Sequence, residues 1–362
     1  MRALVGKETS IPGRPAVRVG PASWMVRLRP LLVPVIAFGL LVLAMAVNLG
    51  RGDFPIGVGD VLAVLLGGGD DTHAYIVLDL RLPRALTGAL VGAALALAGA
   101  ITQSIARNPL ASPDILGVTA GAGVGAVAVI MLGGSAGGIS GGIAEFGLPA
   151  AALGGGLAAA LFVFAISWQR GIDGYRLVLV GLGVTAVLVA IKFYLLTLSE
   201  VADAGRAMVW ITGSLNGRGW EHVTPVALAL LVLVPLALFA ARPLGGLQFG
   251  DDTARGLGIR VNGSRAALIL IAVGLAATAT ASAGPVEFVA LATPQIAMRM
   301  AGTPQPPLVG SAVLGAALTV IADVIARTAF GVVELPVGIV TAVIGAPYLM
   351  YLLVRRYREV RT

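Results

Sequence analysis

Stretches of eighteen or more residues with almost no charge recur along this chain, and nothing constrains its fold more. Hydrocarbon offers no partner for a bare peptide N–H or C=O, so a spanning segment must satisfy its backbone within a helix or a closed barrel. Runs of this length match the roughly 20 residues a helix needs to cross a bilayer. The composition agrees: of 362 residues, 57% are hydrophobic and only 12% charged, with mean hydropathy +0.94. A soluble domain is nearer about 25% charged. The chain therefore reads as an all-α, polytopic membrane protein with about ten spans of about 20 residues each. The apolar pattern puts them near 31–49, 83–104, 113–132, 147–168, 176–198, 224–241, 263–282, 286–300, 308–328 and 337–354. The eighth is short and carries Pro294.

Arginine placement sets the expected orientation, because cytoplasmic loops are enriched in Lys and Arg. With ten spans both termini share a side, and that side collects 18 of the basic residues against six on the other. Both termini are expected in the cytoplasm. Residues 1–30 then form a cytoplasmic leader, 31–354 the membrane domain and 355–362 a basic tail. Ala44-Met45-Ala46 fits a signal cleavage pattern, but the polar leader and long apolar run favour a retained first span. The net charge of +7 reflects this loop bias rather than nucleic-acid binding. With no cysteine, disulfides and thiolate chemistry are excluded.

Small residues crowd the spans. Gly88/Gly92 and Gly121/Gly125 have the spacing that lets helices approach closely, either in internal packing or along a dimer seam. GAALALAGA in the second span faintly echoes GLAATATASAG in the seventh, too weakly to mark a repeat.

Two polar features stand out. At the mouth of the second span, RLPR (81–84) sets Arg81 and Arg84 three residues apart, roughly on one helix face, with Pro83 suited to a first helical turn. They read either as interface anchors or as a docking site for something acidic. Between the sixth and seventh spans, RPLGGLQFGDDTARGLGIRVNGSR (242–265) is too polar to insert. Its stretch Asp251 to Leu257 can form a short helix, with two acids at the positive pole and Gly258 as terminator. Such a helix suits docking into another protein.

Catalytic constellations are missing. His73 and His222 have no partners in sequence, and no P-loop occurs, since Gly6-Lys7 is followed by Glu8. The acids Asp79, Asp114, Glu145, Glu200, Glu287 and Glu334 fall at span ends. Asp323 is deepest, four residues before Arg327, the favourable order for an ion pair. Lys192 lies within a span and either snorkels to an interface or faces a wet pathway. A pore or carrier without its own energy source implies a separate motor subunit.

RLPRALTGALVGAALALAGAITQSIARNPLASPDILGVTAGAGVGAV (81–127) resembles the signature of the FecCD/BtuC-type permeases, ten-helix membrane subunits of type II ABC importers. GDDTARGLGIRV, AGPVEFVALATPQIAMR, ADVIART and ELPVGIVTAVIGAPYLMYLL extend the likeness over nearly all of the chain after residue 31. Within the family, RNPLASPD, GIDGYRL, GSLNG and FGDD are most similar to the FepG-type, ferric-enterobactin branch.

The resemblance implies a permease that pairs with a second, homologous permease subunit as a heterodimer. Two ATPase subunits bind the ATP and Mg, and an external binding protein delivers the cargo. Arg81, Arg84 and Arg327 would receive that protein's glutamates. Asp251, Asp252, Ala254, Leu257 and Gly258 would meet the ATPase, and Asn108 would lie at a cytoplasmic gate, with loops near 105–113 and 169–176 as inner gates. Neither a cofactor nor a metal is implied in this chain. The cargo would be a ferric siderophore of the catecholate, enterobactin-like kind, with cobalamin or haem as alternatives. An ion-coupled secondary transporter is the reading from another class. Where the family commonly has Pro-His-Ile, this chain has Pro294-Gln295-Ile296, so no titrating role carries over there.

Overall fold

The computed structural model describes residues 16–19, 22–25, 28–52, 54–134, 142–168, 174–329, 331 and 333–361. The inner gate expected near 169–176 and most of the 1–30 leader lie largely outside them. A small antiparallel hairpin, β1 (Ala16–Val19) and β2 (Ala22–Met25), pairs Ala16 with Met25 and is the one departure from helix among the described elements.

Fifteen α-helices follow: α1 (Leu28–Gly50), α2 (Val58–Leu65), α3 (Asp71–Ala74), α4 (Leu82–Ala106), α5 (Val118–Gly134), α6 (Gly142–Ser167), α7 (Gly174–Leu198), α8 (Val201–Ile211), α9 (Trp220–Phe239), α10 (Ala241–Leu247), α11 (Asp251–Gly256), α12 (Val261–Ala283), α13 (Val289–Ala301), α14 (Leu308–Thr328) and α15 (Val337–Arg361). Each of the ten expected spans falls on a helix. Among the described residues, seven helical runs are long and apolar enough to cross a membrane unaided, and Val118–Leu132 and Val337–Leu352 are shorter apolar runs.

Boundaries moved where backbone geometry intervened. The third span starts at Val118 rather than residue 113, because Pro113–Leu116 form a 3-10 turn closed by Gly117 at φ +75°. The eighth starts at Val289 rather than 286, because Phe288 caps it in the left-handed region at φ 63°. Its 13 residues reach only about 20 Å, short of a bilayer core of about 30 Å. Helix α15 continues through the expected basic tail as far as Arg361.

Helix α4 runs through the centre and packs on α14, α12, α13 and α9. Small side chains make this possible. A methyl on Gly92 would strike the Gly315 carbonyl oxygen on α14, and one on Gly315 would strike that of Gly92. Gly99 abuts the Ala290 carbonyl of α13 in the same way, while Gly121 and Gly125 meet Gly155 and Ala151 of α6. The two small-residue pairs therefore serve packing within the chain. The two stretches of the faint echo lie on α4 and α12, which are in contact and whose runs are 78% and 72% buried. Helices α1, α7 and α9 keep most of their surface outward, at 17%, 11% and 17% buried.

A leucine at Gly92 should force α4 from α14. Overpacking of this kind costs about 1–3 kcal/mol or more, so Gly92→Leu is expected to lower the thermal midpoint of the detergent-solubilised chain. The same change at Gly183, which has open space around it, should leave the midpoint unmoved.

Candidate functional sites at the two ends of the central helix

The RLPR motif does not open a helix. The chain is already helical from Asp71, and Tyr75–Arg81 form a π-helical turn that leads into α4. Pro83 is the physical cause at hand: it has no N–H for the carbonyl four residues back, and its ring crowds that carbonyl, so the preceding turn widens.

Both arginines of the motif are buried, Arg81 at 6% exposure and Arg84 at 8%. Arg81 donates to the carbonyls of Leu49 (2.7 Å) and Phe54 (2.5 Å), where its charge caps the negative pole of α1. Arg84 grips Asp323 of α14 through Nε (3.1 Å) and Nη2 (2.9 Å), and reaches Glu334 through Nη1 at 3.1 Å. Asp323 is 1% exposed and also accepts from Asn48 Nδ2 at 2.9 Å. Arg327 donates to the Asn48 carbonyl (2.8 Å) and to its Oδ1 (3.1 Å).

Two sequence expectations change here. The bidentate partner of Asp323 is Arg84, 239 residues away in sequence, rather than its helical neighbour Arg327. The arginines are also neither loose anchors nor surface charges, because a membrane protein can bury a cation only against a matched anion or carbonyl. Asn48 and Glu334 were not singled out as members of this group. A lone Asn at the end of an apolar helix was the available signal for the first.

Arg81, Arg84 and Arg327 line a 520 Å³ cavity at this end, with Arg218, Glu221 and Glu334. His222, partnerless in sequence, bonds Glu221 through Nδ1 (2.8 Å) and Arg218 through Nε2 (2.8 Å). Burial presses the Arg218 guanidinium below its ordinary value, against the charge of Glu221. The GSLNG loop is pinned beside this cavity: Ser214 N–H donates to Ala283 O (2.9 Å) and Gly338 N–H to Gly213 O (3.1 Å).

The opposite end of α4 lies about 37 Å away, the length of its 25 residues. There α11 forms where the sequence placed a helix. Gly258, at φ +79°, donates to Arg255 O, and Ile259 donates to Ala254 O; this pair of bonds closes a Schellman cap. Ala254 is fully buried, while Leu257 (64% exposed), Phe249 and the side chain of Asp252 point outward. Asp252 pairs with Arg255 of its own helix at 2.9 Å. Asp251 works differently from a capping acid: it bridges Arg265 of α12 (2.9 Å) and Arg107 at the end of α4 (3.1 Å). This ties α11 to the bundle.

Asn108 folds the turn after α4 by accepting from Leu110 N–H at 3.0 Å, and it lines a 470 Å³ cavity. Gln295 reaches the same cavity. Its Nε2 donates to Gln103 Oε1 (2.7 Å), and Gln103 donates to Leu291 O (2.9 Å). The residue that replaces histidine is thus half of a neutral amide bridge between α13 and α4. Lys192 borders a third cavity of 360 Å³, with Asp114, Glu287, Thr119 and Thr185, and its Nζ stands 5.3 Å from the Phe193 ring centre. Among the described residues no group of three metal-ligating side chains is present.

A family model for the FecCD transport family matches residues 40–355. The ferric enterobactin transport system permease protein FepG of Escherichia coli (strain K12) is 38% identical over 312 residues, 86% of this chain and 92% of that protein. The achromobactin transport system permease protein CbrC of Dickeya dadantii (strain 3937) is 40% identical, covering 88% and 90%. A solved structure described as an inward-facing metal-chelate type ABC transporter superposes with TM-score 0.78 at 28% identity, over 89% of this chain and 99% of its own.

Breaking a buried pair by removing one partner costs about 3–5 kcal/mol, whereas replacing both with apolar groups is often neutral. Arg84→Met is therefore expected to destabilise the chain strongly, and Arg84→Met with Asp323→Leu to recover most of the loss. A double-mutant cycle on thermal midpoints reads this coupling.

Proposed function

The chain belongs to the FecCD transport family, and from that premise we propose that it is the permease subunit of an ATP-driven importer carrying a ferric siderophore of the catecholate, enterobactin-like kind across the cytoplasmic membrane. It is a transport component rather than an enzyme. The single observation that carries the reading is the family match over residues 40–355. The separation of two polar ends on one central helix supports it, with charged cavity and arginines at one end and the polar α11 at the other.

In this reading both termini are cytoplasmic. The α11 end meets an ATPase subunit that binds the ATP and Mg. Ala254 and Gly258 shape the helix, while Asp252 and Leu257 present to the partner and Asp251 transmits its motion to α4 through Arg107. A second, homologous permease covers apolar helix faces and completes the path as a heterodimer. Asn108 belongs to the inner gate. The binding protein docks over the cavity that holds Arg81, Arg84 and Arg327. Because Arg81 and Arg84 already have internal partners, incoming carboxylates would act by competing with Glu334, the part-exposed partner of Arg84. Cargo recognition is assigned mainly to the binding protein.

Two measurements test this. Asp252→Arg with Leu257→Asp changes outward side chains only; ATPase capture by the purified permease and siderophore-dependent uptake should both fall at least tenfold, with permease abundance unchanged. Uptake that persists without ATPase capture would instead support an ion-coupled carrier. Arg327→Gln is the informative docking variant, since charge loss at an interface rim slows association and flattens its salt dependence. An unchanged association rate would remove Arg327 from the docking surface.

A further inference from the structure

Lys192 sits where a cation is hardest to keep. It lies within α7, six residues before the helix ends at Leu198, about 9 Å along the axis. Side chains on a helix lean toward its N-terminus, so the ammonium leans away from that nearer end, against snorkelling. It borders instead the 360 Å³ cavity that it shares with Asp114 and Glu287. Ionisable groups inside a span face a wet cavity or a partner, and the partner is part of their function. Another wall of this cavity is the link between α12 and α13, which contributes Pro285 to Phe288. Contacts with α4 fix its depth. Ser214 donates to Ala283 just before the link (2.9 Å), beside Leu215, which faces Gly88; Ala290 just after it abuts Gly99. Gly88 and Gly99 are interior positions of α4, so the link runs through the middle of the bundle. Non-helical backbone at that depth is tolerated where protein encloses it or where it lines a water-filled cavity.

Glu287 lies on this link and is exposed. Its charge acts on Lys192 across the cavity. Among the described residues, neither group makes an ion pair. Asp114, the other carboxylate on the cavity, already accepts from Thr119 Oγ1. An open cavity lets water hydrate two separated charges, but closing it would leave both desolvated unless they meet. Helix α7 has room for such a move, since it packs on α5, α6 and the Pro113–Leu116 turn and is only 11% buried. We propose that Lys192 and Glu287 form a latch: when this cavity closes, α7 leans onto the start of α13 and the ammonium meets the carboxylate, whereas the structure holds the two apart. The latch rests on the importer reading, because a cycle of opening and closing is what transport asks of it.

The test measures uptake of radioactive iron, presented as a ferric tris-catecholate siderophore, by cells whose importer contains the full chain. Lys192→Glu and Glu287→Lys should each cut uptake about tenfold, and the two together should restore most of it. Because the pair is apart in the structure, Lys192→Met and Glu287→Gln should lower uptake yet leave the thermal midpoint of the detergent-solubilised chain unmoved. The chain has no cysteine, so Lys192→Cys with Glu287→Cys gives a direct reading of the approach. A bifunctional thiol reagent with the reach of a Lys–Glu pair should join the two during ATP turnover by the assembled importer, and not in the permease alone. Full uptake by Lys192→Met, or loss of uptake in Asp114→Asn with none in Glu287→Gln, would overturn the latch. So would native uptake accompanied by neither rescue nor cross-link. Absence of siderophore uptake by the native chain would overturn the import reading instead.

Discussion

Close approach of backbones around α4 is the constraint on which the rest depends. Without a hydrophobic drive between helices in lipid, association rests on van der Waals contact and interhelical hydrogen bonds. Both need carbonyls and α-carbons brought near each other, and Gly92, Gly99 and Gly315 provide that room. Once α4 is sheathed by α12, α13 and α14, its two ends become fixed points about 37 Å apart. The arginine cluster hangs from one end and the α11 ion pairs from the other.

At one end, burial selects geometry. Arg84 tolerates 8% exposure because Asp323 meets its fork in two places and Glu334 takes the remaining amine. Arg81 and Arg327 converge instead on carbonyls at the end of α1, which would otherwise lack intrahelical partners. The cluster thus joins α1, α4 and α14 while leaving Glu334 at the rim of a cavity. At the other end the logic is looser. Asp251 supplies the ion pairs that couple α11 to the bundle and Ala254 packs into the core, while the outward residues have little to hold them but their own helix.

Much of this was legible in the residues. The ten apolar runs, the short helix at 251–257 with its glycine stop, and the need for close packing at Gly88/Gly92 and Gly121/Gly125 all follow from local rules of length, capping and size. The departures were local too. Gly117 and Phe288 take left-handed conformations that delay α5 and α13, and Pro83 widens a turn within a helix rather than starting one.

What the sequence by itself determined is therefore the class of fold, the approximate spans and the polar segments that lipid could not accept, because hydration of each short stretch decides those matters alone. What only the tertiary structure decided is which charge meets which. Spacing offered Asp323 to Arg327, four residues away, yet the fold gives it to Arg84, because helices α4 and α14 cross with those two side chains facing inward. In a buried setting an ion pair forms where desolvated groups meet at full contact, and that meeting is a property of packing rather than of distance along the chain.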